Sequence, residues 1–203
     1  MTSSRDLVSH SLAQRIRWAS VLCGVAALVI LVLGWCGLIF ALGAFVLPPW
    51  VVGTVLSAVS FILGLVHRRL VVGDDDRRTS PGGRRVAPVW RAVTPLAVGG
   101  CVVAFLGDAA FGATYSVLEP SASGGCRAVA RESSFLMAGG GQVYLVHPVG
   151  VGWRTGSWMS DDGIRPIDNE QYELSWGLGG GALLVYGDGR NPVYPSLHEV
   201  ACD

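Results

Sequence analysis

Lysine is absent from this chain of 203 residues, so its 15 basic residues are all Arg, and they balance 15 acidic residues to a net charge of zero. That balance excludes a nucleic-acid binder held by bulk positive charge, and the high apolar content excludes a disordered acidic tail. Cysteine is scarce at five, too few for a small secreted knot built on disulfides. Charge of either sign is missing altogether from Trp18 to Val66, a run of 49 residues without Asp, Glu, Arg, Lys or His. With 51% hydrophobic against 15% charged residues over the whole chain, a single soluble domain is a poor fit.

As one helix the uncharged run would be about 74 Å long, whereas a bilayer core is about 30 Å thick. It must form two spans. The break is marked by Leu47-Pro48-Pro49-Trp50, where paired prolines end one helix and start another and Trp50 supplies an interfacial aromatic. The sequence therefore predicts a helical hairpin within 18–66, roughly 18 to 42 and 49 to 66, and a third transmembrane helix within 92–114. The one ionisable residue of that third span is Asp108. A cleaved signal peptide does not fit, because the first run far exceeds an h-region of about 7 to 15 residues and is followed by no small-x-small site. Cys23 and Cys36 lack the small preceding residues and position that lipid modification requires.

Orientation follows from arginine. Ten of the fifteen Arg lie in the tail 1–17 and the segment 67–91, while residues 112–203 hold five Arg against ten acidic residues. Positive charge near span ends is retained on the cytoplasmic side, so both Arg-rich segments are expected there. Three spans then place 115–203 outside the plasma membrane. The loop, with Asp74-Asp75-Asp76-Arg77-Arg78 and Ser80-Pro81-Gly82-Gly83-Arg84-Arg85, reads as a solvated topogenic segment that touches lipid headgroups.

Beyond about residue 118 the apolar period changes. Tyr172, Leu174 and Trp176 alternate with Gln171, Glu173 and Ser175, as in a strand with one dry face, and Gly177 to Gly181 supplies a turn into a return strand over 182–186. Further strands are expected at 126–131, 134–138, 142–147, 151–158 and 197–202. The fold class is thus α+β: three transmembrane helices followed by a small extracytoplasmic antiparallel β-sandwich or barrel. Cys126 and Cys202 bracket this domain and are the only cysteines outside the expected spans, so in an oxidising space they are expected to form a disulfide.

Catalytic signals are thin. His147 and His198, with Ser157, Ser160, Asp161 and Asp162, offer raw material for a hydrolase, but no nucleophile-elbow spacing joins them. The acidic stretch from Asp161 to Glu170 lacks the ligand alternation of a calcium loop, and two His without a free outer Cys leave a zinc site short. No catalytic residue, cofactor or metal is assigned. In the third span Gly100, Ala104, Asp108 and Gly112 recur at i+4 and form a narrow helix-packing face, with Asp108 placed to hydrogen-bond across it. That face suits docking on Gly53, Ser57, Ser60 and Gly64 of the second span, or self-association.

The arrangement of a three-span anchor, an Arg-rich loop and a Cys-bracketed domain carrying Asp161-Asp162-Gly163-Ile164-Arg165-Pro166 and Tyr172-Glu173-Leu174-Ser175-Trp176 resembles uncharacterised multi-pass membrane proteins of actinobacteria, whose Arg-for-Lys bias is similar. The resemblance implies an architecture and no activity. The expected function is an extracytoplasmic binding or interaction domain in an accessory, sensory or structural role; the alternative is a membrane-tethered enzyme acting on cell-envelope material. Expected partners are the lipid bilayer and an envelope protein or ligand, with no nucleic acid.

Overall fold

The computed structural model describes residues 4–75, 90–177, 180–189 and 192–202. The centre of the Arg-rich loop, 76–89, lies outside the described residues. Three helices carry the apolar stretches: α1 (Ser4–Trp35), α2 (Pro49–Asp75) and α3 (Trp90–Ala110). Each is long and apolar enough to cross a membrane, over Ser11–Trp35, Pro49–Leu70 and Ala92–Ala110. Pro49 opens α2 at a first-turn position whose N–H has no intrahelical acceptor in any case, so the proline pair starts a helix without breaking one.

By contact the chain divides into two compact units, 1–32 with 50–102 and 33–49 with 103–203. In the first, small residues set how closely helices approach. A methyl group added to Gly53 would stand 3.0 Å from Cys101 Sγ and 3.3 Å from Leu31 Cγ, and one on Gly100 would stand 3.1 Å from Leu31 Cδ1. The hydroxyls of Ser20 and Ser60 each donate to the other residue's carbonyl at 2.8 Å, which satisfies two polar groups that apolar surroundings would leave bare.

The first span differs from its sequence reading. The helix ends at Trp35, and residues expected to complete a span to 42 instead form a hairpin, β1 (Leu38–Leu42) and β2 (Phe45–Leu47). Gly37, at φ 107°, turns the chain out of the helix, and Gly43, at φ 63°, closes the hairpin, both conformations that side chains disfavour. Ile39 and Ala41 are buried on one face and Leu38 on the other, where Phe40 is half-buried and Leu42 exposed towards the hairpin end. An uninterrupted apolar run fits such a strand as well as it fits lipid.

The second unit is antiparallel. After α3 follow β3 (Thr114–Val117), β4 (Arg127–Phe135), β5 (Ala138–Val146), β6 (Val151–Asp161), β7 (Tyr172–Gly177), β8 (Gly180–Val185), β9 (Val193–Tyr194) and β10 (Leu197–Val200). The larger sheet runs β2-β1-β6-β5-β4-β3, with β9 also on β6, and its end strands β2 and β3 return next to each other, so the sheet is nearly closed. A smaller sheet, β10-β8-β7, covers one of its faces. Between the sheets lie Ala128, Ala130, Val143, Leu145, Trp158, Leu174, Leu183, Val185 and Val200. Inside the curl lie Ile39, Ala41, Val129, Tyr144 and Val146.

Two glycine and tryptophan partners shape the sheets. Gly141 opposes Trp158 and Gly181 opposes Trp176 in register, and a methyl on Gly141 would fall 2.1 Å from the Trp158 ring. Each indole lies on a bare backbone that only glycine provides. The expected single strand at 134–138 is instead the end of β4, a two-residue turn at Leu136 and Met137, and the start of β5, with Leu136 at a positive φ. Cys126 and Cys202 are bonded across a sequence separation of 76, with Cα atoms 6.5 Å apart. Closing a loop of that length stabilises by about 4 to 5 kcal/mol in the chain-entropy model.

Candidate functional site

β4 reads Ala128-Val129-Ala130-Arg131-Glu132, and its period of two sends the last two side chains to opposite faces. Arg131 points into the curl with Val129. There its Nη2 donates to Asp108 Oδ1 at 2.6 Å and its Nε to the Tyr115 hydroxyl at 3.1 Å, while that hydroxyl donates to Asp108 Oδ2 at 2.8 Å. Tyr115 is Arg131's partner across the β3–β4 ladder, so register alone brings the two together. The ion pair is largely desolvated, at 21% and 15% side-chain exposure. Burial pulls the guanidinium down, but the Asp108 hydrogen bond and neighbouring charges raise it overall, so it stays charged. Burial, then the bond to Asp108, pushes the Tyr115 phenol up, which keeps it a donor.

Glu132 turns to the other face and is 2% exposed. Its carboxylate accepts from the backbone N–H groups of Ile167 at 3.1 Å and Asp168 at 2.9 Å. Burial pushes this carboxyl up against the pull of those two donors. The clamped turn is tied further: Thr114 donates to Asp168, and Arg165 donates to Ser134 and pairs with Asp168 at 3.6 Å. Together the two clusters lash the last turn of α3, β3, β4 and the 165–170 turn into one unit. Breaking one partner of such a desolvated ion pair is costly, about 3 to 5 kcal/mol, because the other charge stays buried.

Of the helix-packing face expected in the third span, Gly100 faces Leu31 and Ala104 is half-buried. Gly112 lies beyond the helix, with φ 54° in the turn into β3, and so is not part of a helical face. Asp108 does not reach another helix through these bonds; it holds Arg131 and Tyr115. Sequence reasoning missed Tyr115, Arg131 and Glu132, although two adjacent charges in an Ala-Val-Ala strand were a usable sign.

Among the described residues no hydrogen bond joins the hydrolase candidates to one another. His198 is buried with its ring 5.6 Å from that of Trp158, and burial lowers its pKa despite a hydrogen bond to the Pro195 backbone. Ser160 Oγ donates to the Ile164 carbonyl at 2.6 Å and is occupied in a turn. Ser157 pairs in register with Gln142, on the face of β5 that carries Tyr144, away from the inter-sheet core that holds Trp158. His147 sits at the β5–β6 turn, and Asp161 and Asp162 are exposed at the end of β6. Among the described residues no group of three or more His, Cys, Asp or Glu is placed to hold a metal. No protein-family model, curated protein or solved structure matches the chain.

Proposed function

We propose that this chain is a three-span plasma-membrane protein that keeps its tail and Arg-rich loop in the cytoplasm and presents one disulfide-closed β-domain outside as a binding or interaction module. The observation that carries the reading is the pairing of β1, which precedes α2, with β6, which follows α3. Strands of one sheet lie on one side of a membrane, so the chain between them must cross an even number of times. Helices α2 and α3 are two crossings. The Arg-rich segments, before α1 and between α2 and α3, then share the opposite side, as retention of positive charge requires. The disulfide adds independent support, since such bonds persist in oxidising compartments. Binding is favoured over catalysis because Ser157 lies on the face of β6 opposite Trp158 and His198, Ser160 is spent on the Ile164 carbonyl, and Asp108, Arg131 and Glu132 serve as internal ties.

Impermeant thiol labelling of intact cells tests the topology. In a background with Cys23, Cys36 and Cys101 replaced by Ala, a cysteine at Gly180 is labelled and one at Gly82 is labelled only after the membrane is opened. The reverse pattern overturns the orientation.

A further inference from the structure

We propose that the β4–β5 turn is a lipid anchor, with Phe135, Leu136 and Met137 seated beside Phe111 in the interfacial layer of the leaflet on the domain's side. The inference rests on the membrane reading above. Its starting point is register. β3 pairs with β4 from Thr114 opposite Glu132, and the ladder runs on, because Ser134 N–H donates to the Phe111 carbonyl at 2.9 Å and the Phe111 and Phe135 rings meet edge to face at 5.4 Å. The turn beyond Phe135 therefore extends past the start of β3 toward the end of α3.

That tip is apolar and bare. Leu136 is 84% exposed and Met137 76%, next to Phe135 and Phe111, which are also exposed. Phe111 follows directly on Ala110, the end of the α3 stretch that is apolar enough to span a membrane. Continuity with that helix end commits the occupant to lipid. Leu136 also holds a φ of 56°, a turn position that hairpins in water fill with Gly or Asn. At the far end of β5, by contrast, the turn Pro148-Val149-Gly150 puts glycine at its positive φ. The charges of Asp161 and Asp162 flank the tip, since Asp161 pairs with Ala138, and they hold its depth to the headgroup boundary.

Spin labels on the full chain in lipid nanodiscs test this, again without Cys23, Cys36 and Cys101. Labels are placed at Met137, at Leu106 in the third span and at Val149, and each is read by its accessibility to oxygen against a water-soluble nickel complex. Met137 is expected to share the oxygen-rich, nickel-poor reading of Leu106, with Val149 nickel-rich; Leu136→Cys repeats the reading one residue away. If Met137 reads as Val149 does while Leu106 reads lipid, the anchor is wrong and the membrane reading stands. A Met137 label shielded from both reagents reports a protein partner or second copy and also overturns the proposal. A Leu106 label in water removes the membrane reading and the anchor with it.

Discussion

Glu132 is a carboxylate in the core whose two oxygens are spent on two backbone N–H groups of one turn. Its folded pKa lies above its ordinary value, so the folded state binds the proton more tightly than the unfolded chain does. Stability therefore falls as pH rises from the ordinary carboxylate value through the raised one. His198 works in the other direction. Its pKa is lowered by burial, so its contribution is full above the ordinary imidazole value and is lost as pH falls through the depressed one. Glu132→Gln offers one acceptor where two are needed and turns an amide N–H2 on the second donor. A loss of about 1 to 3 kcal/mol at neutral pH is expected, together with a steeper acid limb in a series of denaturation temperatures against pH, because the stabilisation that protonated Glu132 gives at low pH is removed. An unchanged limb assigns the slope elsewhere. The pair Arg131-Glu132 was visible in the sequence, and so was the period that parts them. That both faces are covered was not visible, because the cover inside the curl includes β1, which lies more than eighty residues upstream in the chain.

Helices and strands differed in how readily they could be read. The strand at 172–177 shows alternation because only one of its faces is dry, with Leu174 buried and Glu173 and Ser175 exposed. β1 shows none, because its residues are apolar on both faces, the exposed Leu42 included, and a short run of Leu-Ile-Phe-Ala-Leu has the same composition in lipid. The signs that distinguish it are Gly37 and Gly43, spaced for a hairpin. β5 was expected over 142–147, but its first half hid for the reverse reason. Its Gly139-Gly140-Gly141 looks like a turn, and glycine is required at 141 because the Trp158 indole occupies the space of a side chain. In α3 the small-residue face was legible as far as Gly100. Gly100→Leu meets Leu31 Cδ1 and is expected to cost about 1 to 3 kcal/mol by overpacking, whereas Gly99→Leu, which faces open space, is tolerated. Unfolding of both variants in mixed detergent micelles checks the contrast. Equal stability would show that Gly100 does not pack as described.

Across the whole molecule one β-domain is assembled from chain on both sides of a helical pair. Residues 38–47 leave α1, join the sheet and return to α2, so membrane topology and sheet closure constrain each other. The most direct test is a cysteine pair across β1 and β6. Phe40 and Val151 are Cα partners, and they fall between the hydrogen-bonded positions marked by Arg154 N to Gly37 O and Ala41 N to Gly150 O. They are thus a closely spaced, non-hydrogen-bonded pair, suited to a disulfide. With Cys23, Cys36 and Cys101 replaced by Ala, Phe40→Cys with Val151→Cys is expected to cross-link in living cells without added oxidant, as found by mapping of unreduced peptides. Two free thiols at these positions would contradict an extracytoplasmic domain in which β1 lies beside β6.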